Sequence, residues 1–203
     1  MEEQSSTLEK MATPKESKWS LFFEAVQFLV VSFVLVFGLR TFVAQPFIVS
    51  GASMDPTFKN GQYLIIDEFS YHFRTPERGE IVVFRYPQNP SKFFIKRIIG
   101  LPGELIVINN GVVRIKKREG DAGFVIKEPY IQGQTLRNMS RLLATNEYFV
   151  LGDNREQSSD SRVWGPVEEK LVTGRVLLRL FPIAHAEILP GDERVLLEAQ
   201  ENE

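Results

Sequence analysis

From Trp19 to Leu39 the chain runs for 21 residues with a single charge, Glu24, and with none from Ala25 onward. Phe23, Phe28, Val30, Val31, Phe33, Val34, Val36 and Phe37 fall on all sides of a helix drawn through this run. Such a helix has no polar face to turn toward water. Its length is on the order of 30 Å, one hydrocarbon thickness. The pattern predicts a transmembrane anchor over residues 19–43, behind a polar tail over residues 1–18. The all-round apolarity disfavours a core helix. A cleavable targeting segment would be shorter and would end on small residues, whereas Phe42, Val43 and Gln45 follow here. Lys10, Lys15 and Lys18 precede the run and only Arg40 closely follows it. That bias predicts a cytoplasmic N-terminus, with everything after about Val43 on the outer face.

Beyond the anchor the pattern changes to short β-rich runs cut by turn residues: Tyr63–Ile66, Ile81–Tyr86, Phe93–Ile99, Leu105–Asn109, Val112–Lys116, Tyr148–Leu151 and Val172–Leu180. Asn110-Gly111 between two alternating runs is a two-residue hairpin signal, because both positions favour positive φ. Only Gln134–Ala144 reads as locally helical. The predicted fold is mostly β, an antiparallel β-barrel or sandwich over residues 44–182 behind one N-terminal transmembrane helix. A small irregular excursion is expected at about residues 117–145, and residues 183–203 read as a C-terminal surface tail.

Composition narrows the chemistry. The 203 residues suffice for one ordinary domain and an appendage. A net charge of −2 gives no support for a nucleic-acid partner. There is no cysteine, so a thiol nucleophile, a thiolate metal site and disulfides are excluded. The two histidines, His72 and His185, have no ligand-like spacing, so no metal is expected.

Three segments carry candidate chemistry. In Ser50-Gly51-Ala52-Ser53-Met54-Asp55-Pro56-Thr57, glycine and proline flank Ser53, which predicts a constrained turn presenting its hydroxyl beside free backbone N–H groups. An ordinary polar turn would read the same way. In Phe93 to Glu104, Lys96 lies inside an apolar strand-like run. Desolvation there would lower its pKa and leave a neutral amine able to take a proton from a serine. By strand alternation, one of Lys96 and Arg97 is expected to face solvent. The third segment, Leu151 to Pro166, is dense in polar groups and predicts a loop held by its own ion pairs. A calcium loop built on Asp153, Glu156 and Asp160 is disfavoured by the interrupting Arg155 and Arg162.

In this order, and behind one membrane helix, the three segments resemble bacterial type I signal peptidase, a family of Ser–Lys dyad serine proteases. The likeness runs from the anchor to about Pro182 and includes Arg78-Gly79-Glu80-Ile81-Val82-Val83-Phe84. The resemblance implies Ser53 as nucleophile, Lys96 as general base and Ser158 as the hydroxyl that positions the amine. It implies that Asp153 and Arg97 tie the third segment to the lysine strand, and that Asp160 and Arg162 form a structural pair. It places Phe47, Val49, Met54, Phe58 and Ile95 in shallow apolar pockets for small substrate residues. Many members carry a serine two positions before the nucleophile as an oxyanion donor. Here that position is Gly51, which leaves the N–H of Ser53 as the expected donor.

The implied activity is removal of N-terminal signal peptides from secretory preproteins at the bacterial plasma membrane, after Ala-x-Ala-like sites, through an acyl-enzyme. The bilayer and the preproteins are the implied partners, and no cofactor is needed. Two other readings remain: a self-cleaving Ser–Lys hydrolase such as the domain of SOS-type repressors, and an inactive membrane-tethered domain that binds signal peptides. A hydrolase using His72 or His185 is disfavoured because neither has a motif around it.

Overall fold

The structure is a computed structural model describing residues 18–42, 44–117, 120–131 and 133–192. Of the tail expected over residues 1–18, residues 1–17 lie outside the described residues, as does the end of the chain from residue 193. The chain divides into two units, residues 1–40 and 41–203.

The first unit contains α1 (Lys18–Phe42), 25 residues long and so about 37 Å from end to end. Trp19, Phe22, Phe28, Phe33 and Val36 are all exposed along it. Among the described residues no helix is long and apolar enough to cross a membrane. The apolar run of the sequence goes on through Phe37 and Leu39, whose side chains are outside the described set.

The second unit is almost wholly antiparallel β. Its strands are β1 (Ala44–Ile48), β2 (Tyr63–Asp67), β3 (Ile81–Tyr86), β4 (Asn89–Gly100), β5 (Leu105–Asn109), β6 (Val112–Lys116), β7 (Phe124–Val125), β8 (Met139–Leu142), β9 (Glu147–Leu151), β10 (Val167–Glu168), β11 (Val172–Phe181) and β12 (Glu187–Ile188). The main sheet runs β1-β2-β11-β3-β4-β9-β10 with β12 beside β11, and the smaller sheet runs β7-β6-β5-β8. The strands form an open path from β1 to β10, a two-sheet arrangement rather than a ring.

Both faces of the central strands are covered, so β3 shows no polar alternation. Ile81 and Val83 pack with Met54, Phe58, Leu64 and Ile66. Val82 and Phe84 pack on the other side with Ile98, Tyr148 and Val150. Each fully buried side chain of this size contributes about 1.5–3 kcal/mol. A third cluster, with Ile99, Ile106, Ile115, Phe149 and Leu151, includes residues from both sheets. Asn110 and Gly111 sit at φ 48° and 83° between β5 and β6, as the hairpin pattern predicts.

One expectation fails. Gln134–Ala144 is not helical: Met139–Leu142 forms β8 and pairs with β5 from Leu105↔Leu142 to Ile108↔Met139. Leu, Met and Arg favour a helix locally, but the open edge of β5 offers a full set of backbone partners and Met139 packs against the core. The excursion is therefore an ordered sheet beginning at Leu105. Part of the segment expected as a surface tail also docks. β12 pairs with β11, Pro190 is buried, and the Gly191 carbonyl accepts from Arg97 Nη1 at 2.5 Å. No hydrophobic period marks this return, because it is held by backbone groups.

Candidate active site

β1 leads through Val49, whose N–H donates to the Gln62 carbonyl at 2.9 Å, into a tight turn. Gly51 adopts φ 95°, a region that disfavours any side chain. Its N–H donates to Asn60 Oδ1 at 2.9 Å. The turn then closes through Asp55 N–H to the Ala52 carbonyl and Phe58 N–H to the Met54 carbonyl, at 3.1 and 2.8 Å. Met54 and Phe58 are buried in the core beneath and hold it from below. Ser53 stands above them, and its own N–H has no partner among the described residues, which leaves it free to bind an anionic oxygen. The Gly51 position is occupied for a geometric reason: a serine there would be strained at this φ.

Lys96 lies on β4 opposite Val82, and Arg97 opposite Ile81, so the two point to opposite faces. Neither faces solvent, since Lys96 is 4% exposed and Arg97 0%. The expectation that one would be solvated fails because the sheet is covered on both sides. Lys96 Nζ is 2.7 Å from Ser53 Oγ and donates to the Ile95 carbonyl at 2.8 Å. Burial pushes the amine down to about 8, against the opposing pull of Asp160 and Asp153.

The third segment fastens this pair from behind. Asp153 receives Arg97 Nε and Nη2 at 2.9 and 2.7 Å and the Thr57 hydroxyl at 2.6 Å. Asn154 N–H donates to the Ser53 carbonyl at 3.1 Å. One loop thus holds the serine turn through Thr57 and Ser53, and the lysine strand through Arg97. Asp160 caps the short helix α2 (Ser161–Trp164) and takes two bonds from Arg162, at 2.8 and 2.7 Å. It also accepts the Gly152 N–H at 3.1 Å. Ser158 packs against Gly152, and its buried Oγ has no hydrogen-bond partner among the described residues. Ser53 and Lys96 are therefore brought into contact, while Ser158 is close by without a bond to either.

Beside the pair opens a cavity of about 520 Å³. Phe47, Val49 and Ile95 line it together with Leu64, Val83 and Phe93. Met54 and Phe58 do not; they form its support. β9 pairs with β4 only at Arg97, Ile98 and Gly100, so no strand covers that edge of β4 from Asn89 to Lys96 among the described residues. β1 is the outermost strand of its sheet. The cavity thus touches both open edges. Among the described residues no group of three or more acidic or histidine side chains is placed to hold a metal.

The family described as signal peptidase, peptidase S26, matches residues 22–181. The chain belongs to this family. A probable signal peptidase I-1 of Synechocystis sp. is 36% identical over 84% of this chain and 88% of its own length. Signal peptidase IB of Staphylococcus aureus is 32% identical over 77% and 87%. A crystal structure of a signal peptidase I from Enterococcus faecalis V583 is 29% identical, covering 50% of this chain and 97% of its own, with a TM-score of 0.43. As a member of the signal peptidase family, the chain is a hydrolase of the serine endopeptidase class.

Two contributors to this site, Tyr130 and Glu128, carried no signal in the sequence. Tyr130 lies over the Arg97 guanidinium at 3.9 Å. Its hydroxyl donates to Glu128 at 2.9 Å, and Glu128 in turn binds the buried Arg155 of the third segment. Thr57 was legible only as part of a turn. These roles depend on pairings between distant segments, which a linear pattern does not encode.

Proposed function

We propose that this chain removes N-terminal signal peptides from exported preproteins, with Ser53 as nucleophile and Lys96 as general base. The observation that carries the proposal is the 2.7 Å approach of Lys96 Nζ to Ser53 Oγ in a buried setting. The neutral amine takes the Ser53 proton as Oγ attacks the scissile carbonyl. The Ser53 N–H stabilises the resulting oxyanion, and the lysine then protonates the leaving amine. Water, deprotonated by the same amine, hydrolyses the acyl-enzyme. This is the Ser–Lys variant of triad logic, in which no histidine takes part.

Ser158 serves as a second hydroxyl beside the lysine, while Asp153, Arg97, Asp160 and Arg162 hold the loop. The open edge of β4 supports a preference for small residues near the cut, because an extended peptide can add to it as a further strand. Alternate side chains of a strand point the same way. The first and third residues before the cut would enter the cavity together, where Phe47, Val49 and Ile95 leave room for small groups. We further propose that α1 is a single-pass anchor with its N-terminus in the cytoplasm of a bacterium and the β unit on the outer face, as the Lys10, Lys15 and Lys18 bias predicts.

The test is cleavage of a signal-bearing preprotein in detergent by wild type, Ser53→Ala and Lys96→Ala. Both variants should lose at least about a thousandfold, and near-wild-type activity in either would overturn the dyad. Cleavage of its own chain instead of the preprotein would favour a self-processing hydrolase. Binding without turnover in wild type would mark an inactive receptor.

A further inference from the structure

The cavity beside Ser53 has one charged lining residue other than Lys96. Lys92 stands at its far end on β4, four residues from Lys96, and no aspartate or glutamate lines the space. Lys92 is exposed, and its side chain has no ion pair or hydrogen bond among the described residues. The wall beside it is aromatic: Phe93 meets Phe47 edge-on at 5.3 Å. Arg85 on the neighbouring strand lies over the Phe93 ring at 4.8 Å, outside the lining and within electrostatic reach of Glu68. The lining at the far end of the cleft thus carries one positive side chain and no acidic one, although the whole chain is slightly acidic.

A strand advances about 3.3 Å per residue, so Lys92 lies roughly 13 Å along β4 from the lysine of the dyad. A peptide extended along the same open edge advances at the same pace. With its scissile carbonyl at Ser53, its fourth or fifth residue before the cut comes level with Lys92. We propose that Lys92 is a specificity-determining residue that favours a carboxylate side chain at the fourth or fifth position before the scissile bond. The inference rests on the signal-peptidase reading above and adds a charge rule to the requirement for small residues near the cut.

Lys92 touches no reacting atom, so its effect falls on substrate choice. A partly exposed pair of this kind discriminates modestly. Glu over Lys at the matching position should give roughly a threefold to tenfold ratio in kcat/KM, weakening by 0.5 M salt.

The experiment uses the full chain in detergent and peptides with one Ala-x-Ala site. Glu, Gln or Lys is placed singly at each position from the second to the seventh before the cut. Wild type should favour Glu at the fourth or fifth position alone. Lys92→Gln should flatten that profile and Lys92→Glu should invert it, both with unchanged turnover of the Gln peptides. A flat profile in wild type, or the same preference in all three proteins, would overturn the inference. So would a flat profile combined with weaker binding of Lys92→Glu to vesicles rich in anionic phospholipid, which would make Lys92 a headgroup contact. If wild type cleaves none of the peptides, the peptidase reading itself fails and this inference with it.

Discussion

Arg97 and Asp153 meet through two parallel hydrogen bonds, at 2.9 and 2.7 Å, with side-chain exposures of 0% and 1%. The pair is the mechanical link between the serine turn and the lysine strand, because Asp153 also holds Thr57 and Arg97 is the chain neighbour of Lys96. Arg97 is braced further by the Gly79 and Gly191 carbonyls and by the Tyr130 ring. Removing Asp153 takes away the buried carboxylate that holds the Arg97 guanidinium at two points. Asp153→Ala is therefore expected to destabilise the β unit by about 3–5 kcal/mol, read from urea unfolding. A loss below about 1 kcal/mol would mean that the other partners of Arg97 can satisfy it without Asp153.

Ser158 should behave in the opposite way. Its buried Oγ has no partner among the described residues, so Ser158→Ala removes a polar atom that adds nothing to the resting fold. Stability should stay within about 0.5 kcal/mol of wild type or rise slightly. Turnover should nevertheless fall, by about tenfold to a hundredfold, if the hydroxyl helps orient the Lys96 amine during reaction. The two measurements together separate a positioning role from a packing one. Unchanged turnover would remove Ser158 from the site.

The uneven legibility of the sequence has a physical pattern. β3, β5 and β6 are readable to the residue because each is a continuous β-rich run bounded by turn residues, and Asn110-Gly111 sets the register of one hairpin. β1 and β8 are not readable: Ala44–Ile48 contains Pro46, and Met139–Leu142 has good helix formers. Each is a strand only because another strand presents an unpaired edge. At the site, Ser53 and Lys96 are marked by unusual local settings, a glycine–proline turn and a charge in an apolar run. Tyr130 and Glu128 are locally ordinary, and only the approach of their segment to Arg97 and Arg155 gives them a role. The burial of Lys96 and Arg97 together was hidden for the same reason, since strand alternation reports one sheet and not what covers its other face.

Gly152 is required by closeness rather than by backbone angle. A methyl group there would overlap the Ser53 carbonyl and the Ser158 hydroxyl. These are the groups the third segment uses to approach the nucleophile. Gly152→Ala is expected to push that segment away from the serine turn, with a cost of about 1–3 kcal/mol and a drop in kcat of more than about tenfold as the pair loses its alignment. Thermal unfolding should show a folded protein at assay temperature, and the Asn154 N–H should exchange faster with solvent. Wild-type kcat would show that the segment can shift without moving Ser53.

The lysine also makes a prediction about stability against pH. Its amine falls from the ordinary 10.5 to about 8 in the folded chain, a change corresponding to about 3 kcal/mol. Because the folded value is lowered, the unfolded chain holds the extra proton between about pH 8 and 10.5. Stability from this group therefore rises with pH through that window. Below pH 8 both states are protonated and the folded state carries the full cost of a buried ammonium. Lys96→Met keeps similar volume, loses the bonds to Ser53 and Ile95 at every pH, and has no proton to release. Wild type should accordingly gain about 3 kcal/mol relative to Lys96→Met between pH 7.5 and 10.5, measured by chemical unfolding of both proteins at each pH. The same amine must be neutral to act as a base, so kcat/KM should climb with pH and level off above about 8. A difference in stability that stays flat across the window would show that the folded chain leaves the lysine at its ordinary value, and the dyad would then need another source of base.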